Sequence, residues 1–276
     1  MHEVQYSFAT SSVKDSFYSL FCLTVIFGLI GCSGIHRIHD DETAEFDGKI
    51  TEESVSTFLA SVAHRHIAMI VVNSGGGEPI AGIRLGEWID RNSVSVQVEK
   101  VCFSSCANYV FPAGARKIIV APGIVGWHGS AEQRNFRERD KIYEGIELRA
   151  ASGEGLLASE VTVLGDSKEF ADFKYSQASR PRQRAFYNTL GVNEYVTRAG
   201  QEPRYLGTLW TLTADDLKAF GICNIEEPVG YANSEYLALV RKQTGFAVKR
   251  LRLDADIVEM INSEAGKAGY RINPCD

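Results

Sequence analysis

Ile67-Ala68-Met69-Ile70-Val71-Val72-Asn73-Ser74-Gly75-Gly76-Gly77 is the stretch on which the fold turns. An unbroken apolar run of this length predicts a strand covered on both faces, as in a parallel sheet packed by helices. The glycines that end it permit unusual backbone angles and let amide groups approach a ligand closely. Neither the Walker lysine nor the dinucleotide spacing is present, so this is not a nucleotide loop. Working outward, Phe46-Asp47-Gly48-Lys49-Ile50 reads as a short strand and turn. Thr51 caps a helix whose first turn carries Glu52 and Glu53 and whose apolar face is Val55, Phe58, Leu59 and Val62. Beyond the glycines, Pro79 opens a helix buried through Ile80, Ile83, Leu85, Trp88 and Ile89. Val94, Val96 and Val98 alternate as a strand, a short helix starts near Ser104, and Ile118–Val120 and Ile124–Trp127 are two more strands. Strands alternating with helices predict the α/β class, with a mostly parallel sheet from residues 67–73, 94–101, 117–120 and 124–127 joined by crossover helices.

Farther out the pattern changes. Residues 130 to 200 read as helical and strongly charged, with a break near Ser152-Gly153-Glu154-Gly155. Thr213 caps a helix that stops at Gly221, and two helical stretches follow Pro228. His64 and His66 fall where the Thr51 helix should end, which suits two cations at a helix C-terminus better than a metal site.

At the N-terminus, Phe17 to Ile30 is almost wholly apolar, too short to cross a bilayer core of ~30 Å comfortably but suited to a signal peptide. It ends in Leu29-Ile30-Gly31-Cys32, which resembles the lipobox of bacterial lipoproteins. The expectation is a signal peptide at 1–31, lipid on Cys32, a polar tether at 32–45 and one domain at 46–276. Ser33 after the lipidated cysteine points to the periplasmic face of the outer membrane. The 276-residue chain has a net charge of −6, without the basic patch that nucleic acid requires. Beyond Cys22 and Cys32, four cysteines remain: Cys102, Cys106, Cys223 and Cys275. An even number in an oxidising compartment predicts two disulfides; three pairings exist, and 102–106 with 223–275 is preferred. No Cys-x-x-Cys pair exists and no histidine is close to the cysteines in sequence, so no zinc or other metal site is expected.

Chemistry gathers in three segments: Asn73–Gly77; Cys102-Phe103-Ser104-Ser105-Cys106-Ala107-Asn108-Tyr109-Val110-Phe111-Pro112-Ala113-Gly114; and Gly126-Trp127-His128-Gly129. A serine where a strand meets a helix has its hydroxyl beside free amides and the positive end of the helix dipole, where an oxyanion is stabilised. On this segment alone, Ser104 or Ser105 as a plain helix cap accounts for it equally well. Histidine at a strand end is the natural base near neutral pH.

The three segments, in this order and spacing, resemble the proteolytic subunit of the Clp protease and, more weakly, the signal peptide peptidase A family of the same superfamily. Overall the chain is similar to periplasmic members of that superfamily. The likeness covers about residues 46 to 225, including Gly48-Lys49-Ile50, Tyr109–Gly114 and the Leu212–Ile222 helix. It implies the Clp/crotonase-type ββα superhelix, with Ser105 as nucleophile, His128 as general base, and the amides of Gly77 and Cys106 as oxyanion-hole donors. Ser104 would then point away. Where the family carries its triad aspartate this chain has Leu209, between Thr208 and Trp210, so the third member is unknown, with Asp166, Asp172 and Glu194 as candidates. Pro112 inside the helix predicts a short or kinked one.

The resemblance implies an exported serine hydrolase, an ATP-independent peptidase without cofactor, acting on peptide or protein substrates, held to the membrane by its lipid and able to form homo-oligomers. The alternatives are a Clp-like binding or scaffolding lipoprotein without catalysis, a Ser/Lys dyad peptidase with Lys168 or Lys174 as base, and a crotonase-like acyl-CoA enzyme that would not need Ser105.

Overall fold

The apolar run builds the strand its composition predicts, and the sheet grows around it. The computed structural model describes residues 35–38, 42–165, 167–201, 209–268, 272 and 274–275. The signal-peptide and lipidation expectations at 1–31 and Cys32 lie outside the described residues, as do Thr208 and Asp166. In chain order come β1 (Ile35–Ile38), β2 (Thr43–Asp47), α1 (Glu52–Val62), β3 (Met69–Ser74), α2 (Pro79–Arg91) and β4 (Ser95–Phe103). A π-helical turn (Cys106–Val110) then runs into α3 (Phe111–Ala113), followed by β5 (Lys117–Ile119) and β6 (Ile124–Gly126). The remainder holds α4 (Arg134–Ser152), α5 (Ala158–Leu164), α6 (Lys168–Leu190), β7 (Leu209–Thr211), α7 (Ala214–Lys218), β8 (Ile225–Glu226), α8 (Ser234–Thr244), β9 (Val248–Arg250) and α9 (Ala255–Ala268).

The main sheet has strand order β1-β2-β3-β4-β5-β8, with β6 also paired to β4. Every pairing in it is parallel except that of β1 with β2. The protein is thus α/β with a mostly parallel sheet, and all four predicted strand segments take part. The stretch expected to be a tether differs. Residues 43–47 pair with β3 and residues 35–38 add an antiparallel edge. Ala44 and Phe46 of β2 are buried in the core, so this strand joins the sheet by side-chain packing as well as by backbone pairing.

The helices dock as their apolar faces dictate. Thr51 caps α1 by accepting from the Ser54 amide at 3.1 Å, and the Ser54 hydroxyl accepts from the Thr51 amide at 2.9 Å. Phe58, fully buried, meets Phe46 of β2 and Trp88 of α2 edge-on at centroid distances of 5.6 and 5.5 Å. Such edge contacts add about 0.5–1.5 kcal/mol each to the burial itself. Tyr109 of the π turn packs on Phe186 of α6 at 5.9 Å, which seats the charged helical region over the sheet. At the far edge Lys117 is buried, donating to the carbonyls of Gly114 at 2.7 Å and Cys223 at 2.9 Å. Loss of water there lowers its pKa to about 8.

Cys223 and Cys275 form one disulfide, closing a loop 52 residues apart in sequence and tying the C-terminal tail to α7's end. Cys102 and Cys106 form the other. Replacing both Cys223 and Cys275 by serine removes a constraint on the unfolded chain, so unfolding in denaturant should become easier by about 3–4 kcal/mol; an unchanged midpoint would contradict this. Gly76 has φ +92°, and a Cβ on it would sit 2.5 Å from the Ser104 Cβ and 2.6 Å from the Phe103 carbonyl oxygen. Gly76→Ala should therefore destabilise by about 1–3 kcal/mol, read from the same denaturant titration.

Candidate active site

Two loops and one strand end converge at the C-terminal edge of the sheet. After β3, the Ser74 hydroxyl accepts from the Gly76 amide at 3.1 Å and shapes the glycine turn. The Gly48–Ile50 turn is sewn to it: the Ile50 amide donates to Gly76 at 2.9 Å, and the Glu78 amide donates to Ile50 at 2.8 Å. Strand β4 changes neighbour along its length. Its residues 96–98 pair with β5, whereas Val101–Phe103 pair with β6 through Ile124, Val125 and Gly126. The residue after Phe103 therefore emerges beside the chain that leads to His128.

That residue is Ser104, and the structure pairs it, not Ser105, with the histidine. Ser104 Oγ lies 2.8 Å from His128 Nε2. Ser105 is 2 % exposed and donates its hydroxyl to the Gly77 carbonyl at 2.7 Å. The expectation that Ser105 meets His128 while Ser104 turns away is thus reversed. Ser104 has φ +56°, a left-handed conformation that costs a non-glycine residue of order 1 kcal/mol or more and concentrates at functional turns. Its amide donates to Gly126 at 3.1 Å, which holds the strained turn against β6.

Ser105 is the nucleophile that the family resemblance implies, at the start of a short helix. The turn is instead π-helical, with the Phe111 amide donating to Cys106, five residues back. Pro112 helps to set this, since it has no N–H to offer the carbonyl of Asn108 four residues before it. That carbonyl is taken by the Tyr187 hydroxyl.

His128 is held on its main chain. Gln201 Nε2 donates to the His128 carbonyl, and Asn108 Nδ2 donates to the Gly129 carbonyl at 3.1 Å. Asn108 follows Ser104 by one helical turn, and its amide donates to the Ser104 carbonyl at 2.8 Å. It thus spans both halves of the Ser–His pair. Neither Asn108 nor Gln201 stands out from sequence; a polar residue in an otherwise apolar helix face is the available signal for the first. His128 is exposed, yet a partial loss of water lowers its pKa, opposed by a hydrogen bond with its own backbone.

Where the family resemblance implies a carboxylate, the chain has Leu209. Trp127 and Trp210 exchange backbone hydrogen bonds of 2.8 Å in an antiparallel bridge, and that register sets Leu209 opposite His128. Among the described residues no carboxylate is bonded to the imidazole. Glu194 is buried and accepts from Gln183 at 2.8 Å and Thr197 at 3.1 Å; burial raises its pKa, with the Arg198 charge opposing. Asp172 pairs with Lys168 at 2.9 Å, which raises that lysine's pKa, and Lys174 pairs with Glu147 at 2.6 Å. Both lysines are engaged on the α4–α6 surface rather than at either serine. Of the expected hole donors, Gly77 faces Ser105 through its carbonyl, and Cys106 begins the π turn and is bridged to Cys102.

No family model matches the chain, and no curated protein matches it. Among solved structures it is similar to a mutant form of the 1510-N membrane-bound stomatin-specific protease, at 11% identity and a TM-score of 0.33, covering 77% of this chain and 96% of that one. A likeness that distant carries no weight for activity.

Proposed function

We propose that this chain is an exported serine hydrolase, a peptidase working without ATP, in which Ser104 is the nucleophile and His128 its base. The observation that carries the reading is the 2.8 Å approach of Ser104 Oγ to His128 Nε2, within the range for proton transfer. The strained turn at Ser104 presents the hydroxyl as a nucleophile elbow does.

Ser104 Oγ attacks the peptide carbonyl carbon while its proton passes to Nε2. The tetrahedral oxyanion then collapses, and the same proton goes to the leaving amine. Water repeats the sequence on the acyl-enzyme, with Ser104 as the leaving group. With Ser104 as nucleophile, the amide directly after it, Ser105's, takes the hole position that the resemblance gave to Cys106. Gly77 supplies the second amide. Its bridge with Ile50 uses the Gly76 carbonyl and the Glu78 amide, which leaves the Gly77 amide to the side of the Ser104–Ser105 turn. The Ser105–Gly77 bond then positions the hole. On this reading the fold is of the Clp/crotonase type, and lipid on Cys32 holds the domain at the periplasmic face of the outer membrane, an oxidising setting that suits two disulfides.

Leu209 favours a second reading, a binding lipoprotein that lost catalysis, because removing the orienting carboxylate costs a triad about 10⁴ in rate. A fluorophosphonate probe separates the two. Ser104→Ala should abolish labelling, His128→Ala should slow it by about 10³-fold or more, and Ser105→Ala should still label, at a reduced rate, while destabilising by about 1–2 kcal/mol. No labelling of the wild type would favour the binding lipoprotein. The pH dependence follows from His128. Only neutral imidazole accepts the proton, and its pKa is lowered, so the acid limb of the labelling rate should have its midpoint below the ordinary histidine value of about 6.5. A midpoint above that value would contradict the loss of water at the ring.

A further inference from the structure

Cys102 and Cys106 stand on either side of both serines, four positions apart in sequence, and are bridged. Cys102 belongs to a strand held from two sides, opposite Ser74 of β3 and Val125 of β6. Cys106 opens the π turn, where its carbonyl accepts from the Phe111 amide. Four steps of extended strand would carry the chain about 13 Å, whereas the bridged Cα atoms are 5.1 Å apart. The chain therefore turns sharply within Phe103, Ser104 and Ser105. Ser105 is right-handed at φ −59° and ψ −25°, so the unusual angle falls on Ser104 at φ +56°. A left-handed serine is under strain, and a right-handed one would simply lengthen the helical turn that follows. Reaching the helical value would rotate φ at Ser104 by about 120° and swing everything after it relative to Cys102. The bridge opposes that rotation directly, because it ties together the two residues that would be swung apart.

We infer that the Cys102–Cys106 bridge is the positioning element that keeps Ser104 on His128, so that a chain folded in a reducing compartment is idle and one folded in an oxidising compartment is competent. The inference rests on the serine hydrolase reading. Closing the bridge takes two protons and two electrons from the two thiols. A disulfide donor of the glutathione or dithiol-oxidoreductase class accepts them and becomes two thiols. Both cysteines are fully buried, so the exchange takes place while the turn is still open during folding, and the folded domain then shields the sulfurs from reductants. Global stability gains little from this bridge. Its loop is far shorter than the one that Cys223–Cys275 closes over 52 residues, and the chain-entropy gain grows with loop length. The two bridges thus have separable duties: one holds the tail, the other aims a hydroxyl.

The test is the rate at which a fluorophosphonate labels Ser104 in the detergent-solubilised full chain, with the denaturant midpoint measured alongside. Cys102→Ala/Cys106→Ala should label about 10²-fold more slowly than wild type, the cost of a misplaced reacting group, and should lose the acid limb that His128 gives the wild type. Its midpoint should fall by less than that of Cys223→Ser/Cys275→Ser, which should label at the wild-type rate. The serine variant, which retains Cys102 and Cys106, also serves a second arm, refolded once in dithiothreitol and once in glutathione disulfide. Only the product refolded with glutathione disulfide should label at the full rate, and this arm decides the matter if the alanine variant fails to fold. If the alanine variant keeps the wild-type rate and acid limb, or if the two refolded products label at the same rate, the positioning role is overturned and the hydrolase stands. If oxidised wild type does not label at Ser104, the hydrolase reading falls and the role of the bridge falls with it.

Discussion

The hydrogen bond from the Ser105 hydroxyl to the Gly77 carbonyl is the constraint on which the site depends. It joins the glycine turn after β3 to the first turn after β4, two loops 28 residues apart in the chain. Buried as it is, the bond leaves neither the hydroxyl nor the carbonyl unsatisfied, an omission that would cost about 1–3 kcal/mol. Gly76 lets the two backbones approach this closely, since its own Cα faces Ser104 and Phe103 with no room for a side chain. With Ser105 held in this way, the adjacent hydroxyl of Ser104 is the one left to meet His128.

A second layer of polar contacts supports the chain that follows the histidine. Ser130 receives hydrogen bonds from Thr197 at 2.8 Å and Gln183 at 3.3 Å, and Gln183 accepts from Tyr109 at 2.6 Å. The buried Glu194 completes this group with Arg198 beside it. Farther along, Arg184 pairs with the buried Glu132 at 2.7 Å, and Arg180 donates to the Ala131 carbonyl at 3.1 Å. These groups orient the 130–133 segment against α6. None of these contacts reaches the imidazole, so they act on the backbone that carries it. Being mutually satisfied, they specify one arrangement of that loop.

Much of the fold was legible because its signals are local. The apolar run at 67–72, the alternating valines at 94–98 and the Thr51 and Thr213 caps depend on side chains within a few residues of each other, and each element formed at its pattern, although the helix capped by Thr213 ends at Lys218 rather than at Gly221. The edge strand at 35–38 was not legible, because Ile35-His36-Arg37-Ile38 is too short to show alternation and its pairing is made by backbone groups. The two disulfides formed with the preferred pairing, although the sequence alone left three open.

At the site the sequence determined which residue types gather: glycines after a buried strand, two serines at a strand–helix junction, and a histidine at a strand end. Which serine meets the histidine was decided only in three dimensions. The Gly77 carbonyl, 28 residues away in the chain, takes the Ser105 hydroxyl, and Ser104 is the one that meets His128. The placement of Leu209 opposite His128 likewise depends on Trp127 meeting Trp210. Composition and periodicity report what a residue prefers locally. The direction in which a hydroxyl points is set by which distant groups satisfy the backbone around it.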